Sequence, residues 1–106
     1  MRSCQLIGVD LGGTTIRVSR FDDKGRLLAD KEVLTPKPSV PGVVTVTLCE
    51  AIEDVDPKHE ARFVGVGLPG PMDSSGRVAR ICINLPGWID VPLADWLEPR
   101  LDRQVT

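Results

Sequence analysis

Apolar residues in this chain come in short runs, separated by glycine, proline and acidic clusters, and their period changes along the sequence. Leu6 to Asp10 is a brief apolar run ending on a carboxylate, and it reads as a strand. Leu11-Gly12-Gly13 breaks it as a turn. From Thr14 to Phe21, apolar Ile16 and Val18 alternate with polar Arg17 and Ser19, which is the two-residue period of a strand pairing back on the first. Asp22-Asp23-Lys24-Gly25 is a second turn signal, and Leu27 to Leu34 reads as a third strand. The opening therefore predicts a three-stranded antiparallel meander.

The period then lengthens. Thr35 to Pro41 holds three prolines and reads as a loop. Val43 to Val55 begins with β-branched residues that favour a strand locally. Val44, Leu48, Ala51, Ile52 and Val55 nevertheless follow helical spacing, so a helix is predicted. Phe63 to Leu68 is a compact strand, reached through that helix and so expected to lie parallel to the first. Met72 to Ile83 predicts a hairpin turning at Asp73-Ser74-Ser75-Gly76, and Asn84 to Asp90 a loop. Asp90 is placed to cap a helix from Val91 or Pro92 to Leu101, with Leu93, Trp96, Leu97 and Leu101 on one face. Gln104-Val105-Thr106 begins another strand. The order is that of an α/β fold with a mixed sheet.

Composition narrows the partners. With 106 residues, 42% of them hydrophobic, the chain is one domain or part of one, with a small core. A formal charge of -2 and a pI near 5.3 give no electrostatic reason to expect nucleic acid or an anionic membrane. Cys4, Cys49 and Cys82 are an odd number without CxxC spacing, which argues against a disulfide framework or a zinc site. The N-terminus has no secretory pattern and no apolar run approaches membrane-spanning length, so a cytoplasmic protein is expected.

Three segments carry candidate chemistry. In Asp10-Leu11-Gly12-Gly13-Thr14-Thr15 the paired glycines let backbone come close to a ligand. Amides in such a turn can converge on phosphate oxygens, and threonine hydroxyls add donors. Asp10 beside phosphate makes sense with a Mg²⁺ and its waters between the two anions. A plain β-hairpin turn is the competing reading. No GK[ST] follows and the turn leads into a strand, so this is neither a Walker loop nor a dinucleotide fingerprint. In Gly65-Val66-Gly67-Leu68-Pro69-Gly70-Pro71-Met72-Asp73, Pro69-Gly70 sets a turn at a strand's C-terminal end, where α/β proteins gather ligands. Read alone, a tight strand-to-hairpin corner is the better reading of this segment. In Asn84-Leu85-Pro86-Gly87-Trp88, Asn84 offers a donor and an acceptor suited to a sugar hydroxyl, against the alternative of a turn asparagine beside a buried Trp88. His59, among Lys58, Glu60 and Arg62, reads as a solvated helix-end residue, and Asp73 as a turn former.

Taken in this order and spacing, DLGGTT, GVGLPGPMD and NLPGW before a Pro92-Leu93 helix start resemble the ROK family of sugar kinases and repressors, most of all its bacterial glucokinases. The resemblance runs from about Gln5 to the last residue. It implies the actin-like, ribonuclease H-like ATPase fold, with ATP phosphates on the turn and a hexose in a cleft between two lobes. It implies that Asp10 lies near Mg²⁺ and the phosphates, that Gly12, Gly13, Thr14 and Thr15 form the phosphate turn, and that Asn84 and Gly70 face the sugar. Many family members carry lysine where Thr15 stands here. The family's general-base aspartate, in an Asn-Asp-Ala-Asn segment, has no counterpart within these 106 residues. Residues 1–106 are accordingly expected to be an incomplete N-terminal lobe, inactive alone and prone to self-association. The parent is expected to be a homo-oligomeric glucokinase. Two alternatives are a sugar-responsive repressor, disfavoured because the first strand starts within the first few residues, and a non-catalytic truncated module.

Overall fold

The computed structural model describes residues 4–82, 85 and 87–106. Strands β1 (Gln5–Leu11), β2 (Thr15–Phe21) and β3 (Leu27–Leu34) form the expected antiparallel meander. Helix α1 (Pro41–Val55) crosses over to β4 (Ala61–Gly67), which pairs parallel to β1. Two short strands, β5 (Ala79–Ile81) and β6 (Ile89–Val91), pair with each other. Helix α2 (Leu93–Leu101) leads to β7 (Gln104–Val105), parallel to β4 at the sheet edge. The main sheet has the order β3-β2-β1-β4-β7.

The core lies between one sheet face and the helices. Alternation on β1 and β2 sends Ile7, Val9, Leu11, Ile16 and Val18 into it, where they join Val64 of β4. The five apolar positions at helical spacing on α1 are all buried there, as is Thr45. The β-branched start of α1 is helical because packing outweighs local propensity. Thr45 Oγ1 donates to Pro41 O at 2.7 Å, so its buried hydroxyl is satisfied inside the helix. Pro41 opens the helix two residues earlier than the periodicity alone places it, at a position where a missing N–H costs nothing.

The structure corrects the sequence reading in three places. The Asp73–Gly76 turn forms, with Asp73 Oδ1 accepting from the Ser75 amide and hydroxyl. The arms next to that turn pair as predicted, Met72 opposite Ala79, with the Asp73 amide donating to Val78 O and the Arg80 amide to Pro71 O, each at 3.0 Å, but β5 then takes β6 as its strand partner. Ile89–Val91 is thus a strand and not the end of a loop. Its pairing with β5 lies beside buried Ala79, Trp88 and Val91. Asp90 does not cap α2. Its backbone is left-handed (φ 50°), its carboxylate pairs with Arg80 at 3.0 Å, and Pro92 occupies the cap position. Finally, Leu93, Leu97 and Leu101 are buried with Ala94, whereas Trp96 is 37% exposed. Trp96 sits at the edge of a face that a nine-residue helix defines by steps of four.

A buried ion pair joins distant segments. Arg103, with no side-chain exposure, sits 2.9 Å from the Oδ2 of Asp56, itself 1% exposed. Burial alone would raise the Asp56 carboxyl. The Ala61 and Glu60 amides and the Arg103 guanidinium outweigh it and hold the carboxyl below its ordinary value. A depressed carboxylate contributes stability above its unfolded-state pKa and loses it as pH falls through the folded value. Asp22, Asp30, Asp73 and Glu98 are shifted the same way. The melting temperature is therefore expected to stay level near neutrality and to drop progressively below about pH 5. Melts of Asp56→Asn over the same range should show a shallower drop, and an equal slope for both proteins would count against Asp56 as a source of the dependence.

Candidate functional site

Parallel pairing of β1 and β4 brings two of the sequence-predicted segments to one edge of the sheet. Asp10 pairs in register with Gly67, so the Gly12–Thr14 turn and the Pro69-Gly70 turn leave from neighbouring C-terminal strand ends. Asp10 is exposed. Its antiparallel neighbour Arg17 does not neutralise it, because Arg17 is engaged by Asp30, with Nη2–Oδ2 at 2.6 Å and Nε–Oδ1 at 3.1 Å. The Arg17 hydrogen bond, with Ser19 helping, holds the Asp30 carboxyl below the usual range, and Asp30 in turn raises Arg17. Among the described residues Asp10 has no ion-pair partner, and no three His, Cys, Asp or Glu side chains cluster as metal ligands. One free carboxylate suits Mg²⁺, which keeps several waters and takes other oxygens from phosphate. It does not suit a metal needing a full protein cage.

The turn itself is tight. The Gly12 amide donates to Thr15 O at 3.0 Å, and a Cβ on Gly12 would stand 3.0 Å from that same oxygen. Thr14 is exposed and Thr15 half-buried. The segment between β3 and α1 backs the turn. Thr35 Oγ1 donates to Gly12 O at 2.7 Å, the Thr35 amide donates to Thr14 O at 2.9 Å, and Lys37 Nζ donates to Gly13 O at 2.6 Å. Thr35 is 3% exposed. Sequence reading missed Thr35 and Lys37, treating them as part of a proline-rich loop. No local pattern marks them, since their partners lie more than twenty residues away.

Gly70 is confined by backbone. A Cβ there would fall 1.8 Å from Ile81 O and 3.2 Å from Cys82 Cα. The Pro69-Gly70 corner thus presses against the strand that leads toward Asn84 in the sequence. Asn84 lies outside the described residues. Trp88, 1% exposed, is the buried indole that the sequence allowed for, and its Nε1 donates to Ser39 O at 2.7 Å. Gly87, at φ 80°, places its Cβ direction 3.5 Å from Pro41 Cδ. The β3–α1 segment therefore touches both the phosphate-turn candidate, through Thr35 and Lys37, and Trp88, through Ser39, while Pro41 at the start of α1 meets Gly87. Burial pushes the Cys82 thiol up, and the residue packs in the core beside Gly70.

Other candidates separate from this edge. A wide groove opens at the opposite end of the strands, lined by Gln5, His59, Arg62 and Gln104 among others. His59 is exposed there, with Nε2 3.1 Å from Asp102 O, in keeping with a solvated residue. No helix among the described residues is long and apolar enough to cross a membrane.

Comparison with known proteins bears on the family and the fold. A profile of the ROK family matches residues 6–106. The chain is 36% identical over 105 residues to a glucokinase of Thermotoga maritima, covering 99% of the chain and 33% of that enzyme. It is 34% identical over 100 residues to an N-acetyl-D-glucosamine kinase of Citrobacter koseri, covering 92% of the chain and 32% of that enzyme. The crystal structure of a ROK family glucokinase from Streptomyces griseus, in complex with glucose and AMPPNP, superposes with a TM-score of 0.88 at 30% identity, over 96% of this chain and 32% of that one. The chain thus spans about a third of the length of the curated relatives it matches.

Proposed function

The chain belongs to the ROK family, with the actin-like ATPase fold of its sugar kinases, and from that premise we propose that it supplies the phosphate-donor side of a kinase that moves the γ-phosphoryl of ATP to a hexose hydroxyl. The observation that carries the reading is an Asp10 without an ion-pair partner among the described residues, beside a glycine turn at the C-terminal ends of adjacent parallel strands. In phosphoryl transfer most of the catalysis lies in positioning and in neutralising charge on the phosphates. Gly12, Gly13, Thr14 and Thr15 are assigned to hold phosphate oxygens. Asp10 is assigned to orient, through water, a Mg²⁺ that would offset the phosphate charge. The relatives named as glucokinase and N-acetyl-D-glucosamine kinase support a hexose as acceptor, and we assign glucose with transfer to its 6-hydroxyl. Asn84 and Gly70 are assigned to the sugar side.

Residues 1–106 form, on this reading, part of one lobe of a two-lobed enzyme, and the general base lies on a part of that enzyme not included in them. Pure chain incubated with glucose, ATP and Mg²⁺ in a coupled assay is expected to show no turnover above background. The full-length protein carrying it is expected to phosphorylate glucose faster than N-acetyl-D-glucosamine. Turnover by the isolated chain would refute the division of labour. A full-length protein that phosphorylates no hexose would refute the kinase reading.

A further inference from the structure

Two peptide units of the glycine turn have their carbonyls held on one side. Thr35 Oγ1 holds the Gly12 carbonyl at 2.7 Å and Lys37 Nζ holds the Gly13 carbonyl at 2.6 Å. Both units are trans, Lys37-Pro38 being the cis bond found among the described residues. In a planar trans peptide the C=O and N–H point in opposite directions. Fixing those two oxygens toward the β3–α1 segment therefore aims the Gly13 and Thr14 amides the other way. Among the described residues neither amide donates to a protein acceptor, so both are free for an outside one. Thr14 itself is exposed. The Thr35 amide also binds Thr14 O at 2.9 Å, which fixes the next peptide as well.

Lys37 is an unusual choice for such a task. It is exposed, it forms no ion pair among the described residues, and its ammonium is spent on a neutral carbonyl. A hydrogen bond from a charged donor is stronger than a neutral one. It also leaves a positive charge close behind two outward-facing amides, adding to their attraction for an anion. Thr15, the nearest residue on β2, brings no charge of its own.

Resting on the phosphate-donor reading, we infer that Lys37 is a positioning residue of that site. Together with Thr35 it clamps the turn carbonyls and presents the Gly13 and Thr14 amides to a polyphosphate anion, without itself contacting the anion. A preorganised pair of donors binds without the cost of turning peptides at the moment of binding.

The test is titration of ¹⁵N-labelled chain with Mg²⁺-tripolyphosphate, followed through the amide resonances of Gly13 and Thr14, for the wild type, Lys37→Met and Lys37→Arg. Losing one such hydrogen bond is expected to weaken binding about fivefold in Lys37→Met. The Gly13 and Thr14 resonances of the anion-free Lys37→Met chain should also move, with its melting temperature unchanged. Lys37→Arg, which keeps charge and donor, should stay close to the wild type in both respects. Equal binding by Lys37→Met and the wild type would overturn the clamp and leave the phosphate turn standing. Equal weakening in Lys37→Met and Lys37→Arg would also overturn it. A wild-type chain whose turn amides do not respond at millimolar tripolyphosphate would overturn both the clamp and the reading beneath it.

Discussion

Asp56→Ala is expected to lower the unfolding free energy by about 3–5 kcal/mol, the usual cost of stripping one partner from a buried ion pair. The Arg103 guanidinium is fully enclosed. It donates to Ala61 O at 3.0 Å, Leu101 O at 3.2 Å, Glu53 Oε1 at 2.8 Å and Asp56 O at 3.3 Å, besides Asp56 Oδ2. Without the Asp56 carboxylate its remaining charged partner is Glu53, which is half exposed and therefore screened. The loss is compounded on the other side. The Glu60 and Ala61 amides, each 2.9 Å from an Asp56 oxygen, would be left without an acceptor at the entry to β4. The pair staples the α1–β4 connection to the α2–β7 connection, so its removal frees the sheet edge. Urea denaturation measures the effect. The double variant Asp56→Ala, Arg103→Met should cost less than the two single variants summed, because it removes both charges of the pair together. A shift below about 1 kcal/mol for Asp56→Ala, within the range of an exposed pair, would sink this account.

The second large effect is expected at Gly70. Adding a single methyl in Gly70→Ala brings it into the Ile81 carbonyl oxygen at 1.8 Å, with Ile81 C at 2.9 Å. Both atoms are backbone, so no rotamer change relieves the overlap. Either β5 shifts away from β6 or the Pro69-Gly70 corner lifts off. Overpacking of this kind costs about 1–3 kcal/mol, and the value here belongs at the upper end because the obstacle is main chain. The Cys82 amide, 3.3 Å from Trp88 O, is the bond on which the displacement falls. Trp88 is buried while Trp96 is partly exposed, so the Trp88 indole N–H resonance reports locally on the shift. A melting temperature equal to that of the wild type, with the Trp88 indole unmoved, would show that the corner has room the structure does not display.

Gly70 also shows how one residue can satisfy two readings. From sequence it was both a tight corner and a residue against the sugar. The corner is now explained by contact with Ile81 and Cys82, and that contact brings the Pro69-Gly70 turn beside the segment running toward Asn84. The sugar assignment stays with the proposal.

Much of the fold was legible because it follows from local periodicity. The two-residue alternation at Ile16 and Val18, and the three-to-four-residue recurrence from Val44 to Val55, are properties of neighbours in sequence. The strands and helix they imply are present. The parallel placement of β4 followed from having a helix between two strands. Short elements were harder. β6 is three residues long and exists through its partner β5, so no period could mark it. Asp90 carried a capping residue type, but pairing of Ile89 and Val91 set the backbone there first.

By itself, the sequence determined the meander, the crossover helix, the small core and the glycine turn with its carboxylate, since each depends on residue type and spacing within one segment. Only tertiary structure decided what supports them. Lys37 and Thr35 reach the turn, Arg103 reaches Asp56, and Ile81 excludes any side chain at Gly70. Each of these contacts joins residues far apart in the chain, where hydrogen-bond geometry and steric fit, and no local pattern, choose the partner.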